Sequence, residues 1–170
     1  PKMMTEWGEK VSPDNAWKEY PRPQFVREKW QNLNGLWDYA ITPKTAGQPV
    51  KFDGKILVPF AVESALSGVG KSFTPNDRLW YGRTFSLPKD WADQRVLLHF
   101  GAVDYECVLT INGGMVGAHK GGFDAFTFDI TEFLKPGENE IQLAVTDPTD
   151  SAEQPRGKQQ LDPHGIWYTP

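Results

Sequence analysis

The sequence predicts an all-β fold, a sandwich of about eight short antiparallel strands in two sheets. Three observations predict it. Short runs rich in β-branched and aromatic residues recur from Leu36 to Thr146. Turn residues (Gly, Pro, Asn and Asp) punctuate them. No stretch carries the period of a long amphipathic helix.

The elements follow in order. Residues 1–32 read as an extended N-terminal strap, because Pro13, Pro21 and Pro23 forbid a long helix. Trp7, Trp17 and Trp30 argue that the strap is ordered, with a short helical turn near Phe25–Trp30. Residues 33–170 read as the sandwich domain. Its strands are placed at Leu36–Thr42, Lys55–Val58, Trp80–Leu87, Arg95–Phe100, Tyr105–Ile111, Met115–His119, Phe126–Ile130 and Glu140–Thr146. Asn112-Gly113 joins two of them as a tight hairpin, since both residues tolerate positive φ. Thr131 is placed as the cap of a single helical turn over Glu132-Phe133-Leu134, with Leu134 tucked into the sandwich edge. Pro136-Gly137 then reverses the chain into Asn139. Trp37, Phe85, Phe100, Phe126 and Phe128 are expected in the core. Cys107 alternates with Tyr105, Leu109 and Ile111 on the apolar face, which predicts a buried, unreactive thiol. Gly165-Ile166-Trp167-Tyr168-Thr169-Pro170 reads as an apolar strand just begun, the cut end of a longer protein.

Composition narrows the function classes. The chain has 170 residues, enough for one domain with a substantial core. Its 18 Lys and Arg are scattered among 22 Asp and Glu, for a net charge of −4, which leaves no electrostatic footprint for nucleic acid. No apolar run is long enough to span a membrane. A single cysteine excludes an intramolecular disulfide and a cysteine-rich metal site. His99, His119 and His164 lack ligand spacing, and no clustered Asp/Asn loop calls for calcium, so no metal site is assigned.

Four stretches carry a family resemblance. They are Leu79-Trp80-Tyr81-Gly82-Arg83-Thr84-Phe85, the run Leu97 to Asp104, the run Val108 to Gly113, and the run Phe128 to Asn139. Together they resemble the N-terminal sugar-binding domain of glycoside hydrolase family two, the family of β-galactosidases, β-glucuronidases and β-mannosidases. The resemblance covers residues 33–169. It implies a jelly-roll β-sandwich of the galactose-binding-domain type that cleaves no bond itself. It further implies a longer parent in which this domain docks on an immunoglobulin-like domain and a (β/α)₈ barrel. That parent would be β-galactosidase-like and would hydrolyse terminal β-glycosidic bonds with retention. Both catalytic glutamates would lie on the barrel, so no residue here is assigned as catalytic, and no cofactor is implied. The resemblance is compatible with a periplasmic or secreted bacterial origin.

The loop from Thr146 to His164 is the leading functional candidate, being long, polar and unpatterned. Gly157 lets the backbone bend between Arg156 and Lys158, so that cationic groups gather where sugar hydroxyls or carboxylates could meet them. In the family this loop reaches toward the barrel's sugar pocket, and several β-galactosidases place an aspartate there. Here the matching stretch is Lys158-Gln159-Gln160-Leu161, which puts galactose specificity in doubt. Arg156, Lys158 and Gln159 are assigned to carbohydrate or barrel contact; the alternative is a surface loop packed on the rest of the parent. Asp77 and Arg78 either pair with each other or line the cleft edge. His119 precedes the Gly121-Gly122 loop and is either a cleft residue or a hydrogen-bonded loop histidine. Asp104 is expected inside the sandwich edge, accepting backbone hydrogen bonds. Two other classes stay open. One is an autonomous carbohydrate-binding module, with Trp7, Trp17 and Trp91 as candidate platforms. The other is a non-carbohydrate interaction domain on the same fold.

Overall fold

A computed structural model describes residues 4–151 and 153–162. The strand stretch expected at residues 165–170, and His164, lie outside these residues. Eight strands form two antiparallel sheets, consistent with a jelly-roll sandwich: β1 (Gly35–Pro43), β2 (Gly54–Val58), β3 (Asp77–Ser86), β4 (Leu97–Phe100), β5 (Glu106–Ile111), β6 (Gly114–Lys120), β7 (Phe126–Asp129) and β8 (Glu138–Thr146). The larger sheet runs β2-β1-β3-β8-β5-β6 and the smaller pairs β4 with β7. Four single 3₁₀ turns make up the helical content of the described residues.

The chain divides into two compact units. The first takes in the chain up to Trp37 together with Lys55–Lys71. It buries Ala16, Trp37, Ile56, Leu57, Val62 and Ser67. The strap has 3₁₀ turns at Gly8–Lys10 and Pro23–Phe25 rather than the turn expected at 25–30. Its last segment is fastened by side-chain bonds: Asn32 and Asn34 each donate to the Trp17 carbonyl at 3.0 Å, and Lys18 donates to the Asn34 carbonyl.

The second unit comprises Asp38–Gly54 and the chain from Ser72 onward. Strand alternation sets its core. β5 and β8 pair with Cys107 opposite Val145, Leu109 opposite Leu143 and Ile111 opposite Ile141, all buried. Period-two patterning puts Glu106, Val108, Thr110, Gln142, Ala144 and Thr146 on the other face. β6 contributes little apolar bulk to the inner face. Glycines stand there instead, and aromatic rings fill the space above them. A Cβ on Gly117 would lie 2.6 Å from Phe128, and one on Gly114 would lie 3.0 Å from Phe133.

Several expectations are corrected here. Trp37 and Phe85 are buried, but Phe100, Phe126 and Phe128 are only half-buried. They line the inner face of a two-stranded sheet, where Phe100 stacks on Phe126 at 4.8 Å and Phe126 meets Phe128 edge-on at 5.6 Å. Thr131 is the first residue of the 3₁₀ turn, not its cap. Asp129 Oδ1 accepts from both the amide and the hydroxyl of Thr131, and the Thr131 hydroxyl in turn accepts from Val96 N–H. Leu134 is half-buried, as expected of a residue at the sandwich edge, and Ile130 just before the turn is buried in the core.

Candidate functional site

Two regions of the second unit gather polar side chains. The first lies where β5 begins and β6 and β8 end. Asp147, just past β8, is buried. One of its carboxylate oxygens accepts from the Thr149 amide at 2.7 Å, the other from Gln159 Nε2 at 3.1 Å. Thr149 is also buried, at φ 56°, and its carbonyl accepts from Gln154 Nε2 at 2.7 Å. Asp150 closes the loop from the other side: its carboxylate accepts from Leu161 N–H at 2.9 Å and its carbonyl from Arg156 Nη1. The described residues of the loop from 147 to 162 are therefore internally bonded, although they form no regular strand.

These bonds separate the roles of the residues assigned from sequence. Gln159 anchors the loop base on Asp147. Arg156 is half-buried and braces the Asp150 carbonyl. Lys158, one residue beyond the Gly157 bend at φ 60°, is exposed.

Asp104 stands beside this loop. It is exposed and, among the described residues, accepts no backbone hydrogen bond, contrary to the expectation of a buried acceptor. The Gly121-Gly122 bend folds against it so closely that a Cβ on Gly122 would lie 2.3 Å from Asp104 Oδ1. Loss of water on that side, with the Asp147 charge as the lesser cause, raises the Asp104 carboxyl to about 6. The Asp104 carboxyl lies close enough to Asp147 to feel its charge. Asp147, however, has both oxygens committed to the loop, so the pair lacks a free nucleophile or base.

His119 faces inward as the cross-strand partner of Cys107 and stacks on Phe126 at 3.9 Å. Its Nε2 is buried and has no hydrogen-bond partner among the described residues. This is a packing position between the two sheets.

The second region lies on the opposite, outer face. A groove of about 400 Å³ runs over β3, β8 and β5, walled by Lys44 and Gln48 from the loop after β1. Its floor is the cross-strand row Trp80–Ala144–Val108. Arg78 belongs to this groove. Its guanidinium donates to the Ala46 carbonyl at 3.3 Å and lies 5.7 Å from the Trp80 ring centroid. Asp77 does not pair with Arg78; it accepts from the Thr74 amide and hydroxyl at 3.0 and 2.6 Å, fixing the turn before β3. The six assigned residues thus divide three ways. Arg156, Lys158 and Gln159 share one loop, Arg78 lines the outer groove, and Asp77 and His119 shape the local structure.

Sequence reasoning missed Trp80 and Gln142 as groove residues. The signal was the alternation that buries Ile141, Leu143 and Val145, since the same period must expose Gln142, Ala144 and Thr146. Of the candidate aromatic platforms, Trp7 and Trp17 are 72% and 66% exposed on the first unit, while Trp91 is half-buried in the second. Among the described residues, no group of three or more His, Cys, Asp and Glu side chains gathers in a way that could hold a metal ion.

Residues 56–156 match the family model described as glycosyl hydrolases family 2, sugar binding domain. A β-glucuronidase of Paenibacillus borealis is 29% identical over 146 residues, covering 82% of this chain and 24% of that protein. A β-galactosidase of Bacteroides ovatus is 35% identical over 148 residues, covering 87% of this chain and 14% of that protein. Among solved structures, the Lactobacillus rhamnosus β-glucuronidase superposes with a TM-score of 0.58 at 28% identity, covering 69% of this chain and 21% of that one. The chain thus spans about a quarter or less of the length of these relatives.

Proposed function

The chain belongs to glycosyl hydrolase family 2, as its sugar-binding domain, and on that premise we propose that it serves a longer β-glycosidase as a non-catalytic wall of the sugar site. The parent hydrolyses terminal β-glycosides with retention, using two carboxyl groups about 5–5.5 Å apart that lie elsewhere in the protein. Relatives named as β-glucuronidases and as β-galactosidases both match, which supports reading the parent within that pair of activities rather than with galactosides alone. This domain contributes orientation and exclusion of water rather than proton transfer.

The observation that carries this reading is the build of the loop from 147 to 162. A segment that served only as a tether would not need a buried carboxylate at its base and a guanidinium brace across it. Such support is what holds a contact residue in a fixed position. The residue so presented is Lys158, whose ammonium can meet a sugar hydroxyl, a sugar carboxylate or an acid of the neighbouring domain.

Full-length protein assayed on the p-nitrophenyl β-glucuronide and β-galactoside tests it. The Lys158→Ala variant is expected to raise KM or lower kcat by about tenfold, or ~1.4 kcal/mol of transition-state binding, on the preferred substrate. Its melting temperature should be unchanged, because surface substitutions stay within about 0.5 kcal/mol. Wild-type kinetics in that variant would remove the loop from the site.

A further inference from the structure

We propose that the outer groove over Trp80, Ala144 and Val108 is a second carbohydrate site, one that takes a β-linked oligosaccharide chain. It takes the β linkage from the proposed activity of the parent and otherwise goes beyond that reading, since the groove does not depend on the loop. The two lie on different parts of the second unit, the loop at the strand ends and the groove on the open sheet face.

The chemistry of the groove is arranged in rows. The central row is apolar: the Trp80 ring, the small Ala144, and Val108, which is 36% exposed. Ala144 between two larger side chains leaves a saddle. Two residues along each strand, about 7 Å away on either side, the rows turn polar. One side carries Arg78, Thr146 and Glu106, the other Gln142 and Thr110. A pyranose ring has the matching pattern, an apolar C–H face rimmed by hydroxyls that both donate and accept. Arginine supplies donors, glutamate acceptors, and threonine and glutamine both.

The groove is also preorganised. Trp80 Nε1 donates to Thr42 Oγ1 at 3.0 Å, which fixes the indole, and Arg78 is steadied on Ala46. Gln48 donates to Gln142 at 2.7 Å, and Gln142 donates to Glu140 at 2.7 Å. Side chains already ordered lose little entropy when a ligand arrives. The volume falls within the ~300–1,000 Å³ typical of small-molecule clefts and exceeds what one sugar ring fills. A protein partner fits less well. Interface cores are depleted in charge, whereas Lys44, Arg78 and Glu106 all line this groove.

Calorimetric titration of the protein with cellotetraose, xylotetraose and mannotetraose tests the proposal. At least one is expected to bind saturably with a Kd near or below ~1 mM, the weak end of specific affinity. Ala144→Arg, on the outer face, fills the saddle and should weaken that binding by about tenfold or more. Thr110→Val removes a rim hydroxyl without added bulk and should weaken it several-fold, a check that does not rest on the bulkier variant folding. Lys89→Ala, at an exposed position outside both the groove and the loop, should leave it unchanged. Three results would each overturn the proposal: no saturation by any of the three sugars up to ~10 mM; binding indifferent to both groove variants; or an Ala144→Cys thiol that native protein shields from a small maleimide, meaning that polypeptide covers the face.

Discussion

At the scale of single residues, chemistry here is set by neighbours. Asp104 and Asp129 are the same residue type with opposite behaviour. Asp129 is held down to about 2, chiefly by the hydrogen bond from the Thr131 hydroxyl and then by that from Arg95, whose Nε lies 2.7 Å away. Asp104 is pushed up to about 6, first by lost hydration and then by Asp147. The signs follow from proton linkage. Asp129 favours the folded state above the ordinary carboxylate range, and that support is lost as pH falls toward 2. Asp104 binds its proton more tightly when folded, so its contribution declines as pH rises from about 4 to about 6, and the fold carries the full penalty above that. Asp104→Asn is therefore expected to raise the melting temperature at pH 7 and to change it little at pH 4. Melting curves of the variant and the parent protein at the two pH values check this; an equal shift at both would show that the charge is not the cause.

At the scale of elements, the hairpin and the 3₁₀ turn form one unit through two asparagines. Asn112, at φ 50° in the hairpin, donates to the Phe133 carbonyl and to Asn139 Oδ1, both at 2.8 Å, and its own Oδ1 accepts from Glu140 N–H at 3.0 Å. Asn139, 1% exposed, accepts from Lys135 N–H at 2.9 Å and donates to the carbonyls of Lys135 and Gly137 at 3.0 and 3.1 Å. This explains why the chain reverses tightly between β7 and β8. Asn139→Ala would strand several part-buried partners at once, where a fully buried one costs ~1–3 kcal/mol. Urea denaturation should show a loss of about 3 kcal/mol or more, at the high end for a point substitution. A loss below ~1 kcal/mol would mean that the network does not hold the turn. The hairpin was legible from Asn112-Gly113, because positive φ restricts residue choice locally. The side-chain bridge to Asn139 was not, because 27 positions separate its ends.

At the scale of the whole molecule, Cys107 reports on the second unit. The thiol is 1% exposed on β5, which is paired on both sides in the larger sheet, and burial raises its pKa. A disulfide reagent is expected to leave it untouched in native protein and to modify it at the rate of unfolding; rapid labelling under native conditions would place it outside the core. The all-β class, the approximate place of all eight strands and the buried face of Cys107, Leu109 and Ile111 were legible in the sequence, because a period of two and turn chemistry are local properties. The four matched stretches made the family legible for the same reason: each is a strand or turn whose constraints lie within a few residues. Which polar residues share a site depended on how distant segments pack. Trp80, Val108 and Ala144 meet through cross-strand register, and Gln159 reaches Asp147 across a folded loop. Register and loop closure depend on where distant segments pack, which no single stretch of the chain encodes.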